Sequence, residues 1–136
     1  MKVKLHRLGK TDELKTFVDR MEINEPFDYD APFIFICKIN SKLAFVNVFR
    51  LEKVDDKIIP RFIHILVDKS IRRSKLIVDL AKQAEDMLKL LGYDELFAYI
   101  LKTNTLMSTL AIKFGYIEDR EDTNAKYYFK KLNKER

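Results

Sequence analysis

The sequence predicts an α+β fold, an α/β/α sandwich around one mixed, mostly antiparallel sheet with helices on both faces. Three observations carry this. Apolar runs with the two-residue period of strands alternate with runs at helical spacing. The turn-forming pairs Asn40-Ser41 and Asp55-Asp56 join three consecutive strand-like runs into an antiparallel meander. A long amphipathic helix then separates two apolar runs, a crossover that makes its flanking strands parallel.

Val3 to Leu8 alternates apolar and basic residues and predicts a short strand. Thr11 can cap a helix opening with Asp12 and Glu13, whose charges suit the positive helix end. Leu14, Phe17, Val18 and Met21 share one face of that helix. Asn24 to Pro32, with two prolines and three acids, reads as a loop. Phe33 to Ile39 is apolar on both faces and predicts a well-buried strand. Leu43 to Leu51 pairs with it as a hairpin, and Ile58 to Val67 follows as a third strand. Pro60 lies near the start of that strand, where a missing N–H does least harm.

Leu76, Ile77, Leu80, Ala81, Ala84, Met87, Leu88 and Leu91 recur at steps of three and four and mark the strongest helix. Ser70 or Ser74 can cap it, and Gly92 stands just past its end. Glu95 to Leu101 predicts another buried strand. Thr103 or Asn104 can cap a shorter helix carrying Leu106, Leu110 and Phe114, which Gly115 ends. Tyr116 to Asp119 and Ala125 to Leu132 predict two last strands around an acidic turn, Glu118 to Asp122.

With 136 residues the chain has the length of one domain, and its 47% hydrophobic and 35% charged residues exclude a disordered chain. No apolar run is long and uncharged enough for a membrane helix. Met1 to Lys10 is basic but lacks the apolar core of a signal peptide. The single cysteine, Cys37, excludes an internal disulfide and a cysteine-based zinc cage, so a cytoplasmic location without a metal is expected. Cys37 itself, in an apolar strand, reads as a buried, inert thiol. The net charge of +5 permits anionic partners without specifying them.

The junction from Val67 to Lys75 is the best candidate for chemistry. A helix N-terminus presents unpaired backbone N–H groups and a positive dipole end, a ready anion site. Lys69, Arg72, Arg73 and Lys75 surround it, although bases there oppose the dipole. A solvated basic turn is the plain alternative.

The run from Ile58 to Leu132 resembles the GNAT superfamily of N-acetyltransferases. That pattern joins a strand ending in Val to an Arg/Gln-x-x-Gly-x-Gly/Ala turn, a long helix, a Gly and a strand, then Asn, and finally Tyr-x-x-x-Gly-Phe. Val67 and Arg72 fall in register, followed by Gly92-Tyr93, the strand Leu96 to Leu101, Asn104 and Phe114-Gly115-Tyr116. The opening strand and helix, Val3 to Met21, also fit, so the resemblance covers nearly the whole chain. It implies acetyl-CoA as donor, held in a V between two central strands. Leu66 and Val67 would bind the pantetheine arm. The backbone of Arg73, Ser74, Lys75, Leu76, Ile77 and Val78, with Arg72, would cradle the pyrophosphate. Asn104 would support the cofactor.

The resemblance further implies direct attack of an amine on the thioester, with a base taking the amine proton. His64, on the third meander strand near the usual place of that base, is the catalytic candidate. A histidine satisfied by neighbours is its plain alternative. His6 reads as structural or exposed. The chain departs from the pattern at three places: the two glycines fall on Lys75 and Ile77, and the proton-donating tyrosine falls on Ala111.

The expected function is thus an N-acetyltransferase acting on a small-molecule or protein amine. The alternative is a GNAT-fold module without transfer chemistry that binds a protein or nucleic acid. Glu25 to Asp30 could attract an amine through its acids and the rings of Phe27 and Tyr29, or be a plain exposed loop. Tyr127-Tyr128-Phe129 could stack on single-stranded nucleic acid, but its alternation favours core packing. The tail from Lys130 to Lys134 reads as solvated. An exposed last strand could pair between subunits as a homodimer.

Overall fold

The computed structural model describes residues 1–72 and 75–132. The order is β1 (Lys4–His6), α1 (Asp12–Met21), β2 (Phe33–Ile39), β3 (Lys42–Val54) and β4 (Lys57–Val67). A single 3₁₀ turn (Lys69–Ile71), α2 (Leu76–Leu90), β5 (Glu95–Leu101), α3 (Thr105–Lys113), β6 (Ile117–Glu121) and β7 (Ala125–Lys131) complete it. The strands form one seven-stranded sheet in the order β1-β2-β3-β4-β5-β7-β6. β4 and β5 are parallel, with Arg61 beside Phe97, as the helical crossover between them requires. The β1–β2, β2–β3, β5–β7 and β6–β7 pairs are antiparallel. This is the mixed, mostly antiparallel α+β fold that the sequence predicts.

Residues group into two compact units, Met1–Arg50 with Ile63–Ala84, and Leu51–Phe62 with Glu85–Arg136. In the first, Thr11 caps α1, its hydroxyl accepting from the Leu14 N–H at 3.2 Å. Leu14, Phe17 and Val18 bury one face of α1 against Ile34, Leu43, Val46, Val48 and Leu66. Each such side chain contributes about 1.5–3 kcal/mol by leaving water. Phe35, Cys37 and Phe45, on the other face of β2 and β3, are equally buried, which explains why these strands lack a polar face. Gln83 of α2 accepts from the Val3 N–H at 2.9 Å, tying the N-terminus to that helix.

In the second unit, α2 and α3 end alike. Gly92 and Gly115 adopt φ +104 and +91, which glycine reaches without strain. Tyr93 N–H donates to Leu88 O at 3.2 Å, and Tyr116 N–H to Ala111 O at 2.9 Å, so each helix closes in a Schellman motif. Both hairpin turns are left-handed at two residues, Asn40 and Ser41, then Asp55 and Asp56. This suits the twist of two-residue hairpins, here without glycine.

Several expectations shift. The first strand is shorter than Val3 to Leu8, and β3 extends past Leu51 to Val54. The acidic run Glu118 to Asp122 is mostly strand, since all of β6 is exposed at the sheet edge and tolerates charge on both faces. The reversal falls after it, where Asp122 Oδ1 accepts from the N–H groups of Asn124 and Ala125, both at 2.8 Å. Leu106 is 73% exposed, and the fully buried residue of α3 is Ala111. Ser70 lies inside the 3₁₀ turn, which Asp68 caps. It therefore does not cap α2, and the other capping candidate, Ser74, lies outside the described residues. Asn104, not Thr103, caps α3, accepting from Met107 N–H at 3.1 Å.

Candidate active site

Burial alternates along the second half of β4, with Phe62, His64 and Leu66 buried and Ile63 and Ile65 half-buried. His64 is 5% exposed and lies between Ile63 and Leu66, which join the core beneath α1. The loop after α1 folds against it. The Phe27 ring stacks on the imidazole with centroids 5.3 Å apart and planes inclined by 14°. Glu25 Oε1 lies 3.7 Å from His64 Nδ1, while the buried Nε2 has no hydrogen-bond partner. Burial pushes the imidazole pKa below its ordinary 6.5, against the opposing pull of Glu25 and the Pro26 carbonyl. The ring is therefore neutral at pH 7 and able to accept a proton.

The loop is thus partly built into the unit rather than plainly exposed. Phe27 and Tyr29 pack against the α1 core, their ring centroids 4.8 Å apart. Arg50 Nε donates to Asp28 Oδ2 at 3.1 Å, anchoring the middle of the loop to β3. A groove of about 360 Å³ is lined by the loop residues Glu25, Phe27 and Tyr29, with Asp19 and Glu22 of the preceding segment. Lys10 and Lys15 also line it, but each is engaged. Lys10 lies 5.1 Å from the Tyr29 ring centre, and Lys15 bonds Asp19 at 2.6 Å.

The segment following β4 is ordered by Asp68. Its carboxylate accepts from Arg20 Nη1, Ser70 N and Ser70 Oγ at 2.6, 3.1 and 2.6 Å. The Arg20 guanidinium, and then Ser70, hold this carboxyl well below the usual carboxylate range. Arg72 Nε donates to the Val67 carbonyl at 3.0 Å. That bond uses one of the two lone pairs on the carbonyl of a residue expected to meet the pantetheine arm. Leu66 is buried in the α1 core. Lys69, Arg72 and Lys75 are exposed around the start of α2, whose first turn contains Leu76, Ile77 and Val78. Amides of such a turn point out of the helix N-terminus. Arg73 and Ser74 lie outside the described residues.

In the second unit, Asn104 serves as the α3 cap, so its side-chain oxygen is committed to the fold. Ala111 is fully buried. The Tyr116 hydroxyl is buried without a hydrogen-bond partner, and burial pushes its pKa well above 10.0. Tyr127 and Phe129 share one sheet face with Tyr99 and Phe97, and Tyr128 is buried on the other. The Arg120 guanidinium covers both rings, 5.0 Å from Tyr127 and 5.9 Å from Phe129, and bonds Asp55 at 3.0 Å. A groove of about 380 Å³ remains on this face, lined by Arg61, Phe97, Tyr99, Arg120 and Tyr127. His6 Nε2 bonds the Gly9 carbonyl at 2.8 Å, a structural contact. Cys37 is buried, and burial raises its thiol pKa.

Among the described residues no helix is long and apolar enough to cross a membrane, and no cluster of three or more His, Cys, Asp or Glu could hold a metal ion.

No protein-family model matches the sequence, and no curated protein matches it. Solved structures do. A putative acetyltransferase of the GNAT family from Desulfovibrio desulfuricans superposes with a TM-score of 0.73 at 12% identity, over 96% of this chain and 99% of that one. The ribosomal-protein-S18-alanine N-acetyltransferase of Escherichia coli gives 0.68 at 17% identity, over 98% and 96%. Arabidopsis thaliana Naa50, in complex with the bisubstrate analogue CoA-Ac-MVNAL, gives 0.66 at 16% identity, over 96% and 99%. The chain has the GNAT fold.

Proposed function

We propose that this chain is an acyl-CoA-dependent N-acyltransferase that moves an acetyl group from acetyl-CoA to an amine. One observation carries the reading: nearly the whole chain shares its fold with acetyltransferases, one of them bound to a CoA-containing bisubstrate analogue. The first unit supplies groups of the right kind. Lys69, Arg72 and Lys75 gather cations where α2 begins, beside the first-turn amides of Ile77 and Val78. Both features suit a pyrophosphate. Lys75 and Ile77 carry side chains where the family has glycine, so here charge takes over part of the role of bare backbone.

The acceptor is an amine of a small molecule or of a protein. The groove beside the loop, with Glu22 and Glu25 in its lining in addition to the Lys15–Asp19 pair, suits a cationic group. In the reaction the amine nitrogen attacks the thioester carbonyl, the C–N bond forms and the C–S bond breaks. His64 takes the amine proton, and that proton is then available to the departing thiolate. Ala111 offers no proton there.

Calorimetric titration of the purified chain with acetyl-CoA and with CoA tests the reading. Micromolar affinity is expected. No heat at millimolar cofactor would overturn it and turn the search toward a macromolecular partner of a fold without transfer chemistry.

A further inference from the structure

His64 Nε2 is a buried polar atom with no hydrogen bond. Such an atom costs the fold about 1–3 kcal/mol, and a catalytic role is one reason a native structure keeps it. The opposite edge of the ring is not left alone. Glu25 Oε1 lies 3.7 Å from Nδ1, and the Pro26 carbonyl acts on the same histidine. Phe27 stacks on the ring face and restricts its rotation. The three contacts come from consecutive residues of one loop, and Arg50 anchors that loop through Asp28.

We propose that Glu25 is a positioning residue for the transfer reaction. Its carboxylate, 3.7 Å from Nδ1, electrostatically favours the His64 tautomer with the proton on Nδ1, so that Nε2 is the atom that accepts the amine proton. The inference rests on the acetyltransferase reading for its chemistry, but not for the pairing itself. The proton balance is simple. Nε2 gains the proton that the attacking amine loses, and Glu25 stabilises the imidazolium so formed. The proton then passes to the thiolate released when the C–S bond breaks, which returns the ring to its starting tautomer. Glu25 never needs to be protonated, and its side chain stays 62% exposed. The charged groups acting on the ring are Glu25 and Asp28 from the loop and Arg50 from β3. The two acids favour the imidazolium and Arg50 opposes it.

The test is nitrogen-15 NMR of the imidazoles, which can be followed singly because the chain has only two histidines, His6 and His64. The parent chain is expected to show His64 neutral at pH 7 with Nε2 unprotonated. In Glu25→Gln the His64 titration midpoint should fall further, because an acid that favours the charged ring is gone. Glu25→Asp should restore part of the shift. In transfer assays Glu25→Gln should lower kcat about tenfold, with little change in KM for acetyl-CoA. Glu25 is exposed, so the variant is expected to fold. A proton on Nε2 in the parent chain, or a midpoint unmoved by Glu25→Gln, would overturn the pairing. A moved midpoint with unchanged kcat would overturn the positioning role. Failure of the parent chain to bind CoA is a separate result, and it defeats the acetyltransferase reading without touching the NMR outcome.

Discussion

The Lys130 ammonium lies 2.7 Å from a Glu85 carboxylate oxygen and also donates to the Phe114 carbonyl at 2.5 Å. One β7 side chain thereby fixes the second half of α2 and the last turn of α3. Glu85 is 7% exposed, so water does little to screen the pair. Lys130→Met should lower stability by about 3 kcal/mol in denaturant unfolding. A loss below about 1 kcal/mol would class the pair with exposed ones.

Tyr116 makes the opposite case. Its hydroxyl is buried with no partner, so removing it forfeits no bond. Tyr116→Phe is expected to leave stability unchanged or raise it by about 1 kcal/mol. A marked loss would show that the hydroxyl is satisfied in solution.

Ala111 is fully buried, and its carbonyl receives the Tyr116 N–H. Placing a tyrosine there, as the family pattern has it, would overfill the core. Ala111→Tyr should cost about 1–3 kcal/mol and should not raise kcat. Increased turnover in that variant would mean the site accommodates the missing acid after all.

The His64 pKa lies below 6.5 in the folded chain. As the pH falls below that ordinary value, the unfolded state therefore binds a proton that the folded state resists. The His64 contribution to stability should be flat above about pH 6.5 and decline as pH falls toward the folded pKa, because the unfolded chain then holds more protons. His64→Gln should remove this part of the decline, read as midpoint against pH.

On the proposed function, Arg72→Glu with Arg73→Glu should abolish measurable CoA binding while the fold persists, checked by titration and circular dichroism. Unchanged affinity would move the phosphates elsewhere.

The sheet is readable from the sequence wherever burial makes a whole run apolar. Phe33 to Ile39 and Glu95 to Leu101 coincide with β2 and β5 because each is a short apolar run buried on both faces. β6 was harder, since a strand exposed on both faces carries no period and its acids read as a turn. Leu106 shows the limit of the same signal: helical spacing marks a face, but not whether anything covers it. The GNAT fold was legible from its glycines and helices. The partner of His64 was not, because Glu25 is 39 positions away and only the packing of the loop after α1 brings it there. The signal that could have pointed there is the cluster Glu25-Pro26-Phe27 itself, an acid, a rigid turn and a ring in sequence.

The chain's three glycines, Gly9, Gly92 and Gly115, all occupy positive φ, and two of them stop helices. None stands between Val67 and Val78. On the proposed reading the diphosphate is thus held largely by ammonium and guanidinium groups that reach out from exposed positions. Attraction of that kind fades over about 10 Å at 0.1 M ionic strength. Salt, and competing polyanions such as nucleoside triphosphates, would then govern occupancy, so the cell's ionic composition becomes a control on the enzyme that a glycine-lined cradle would resist.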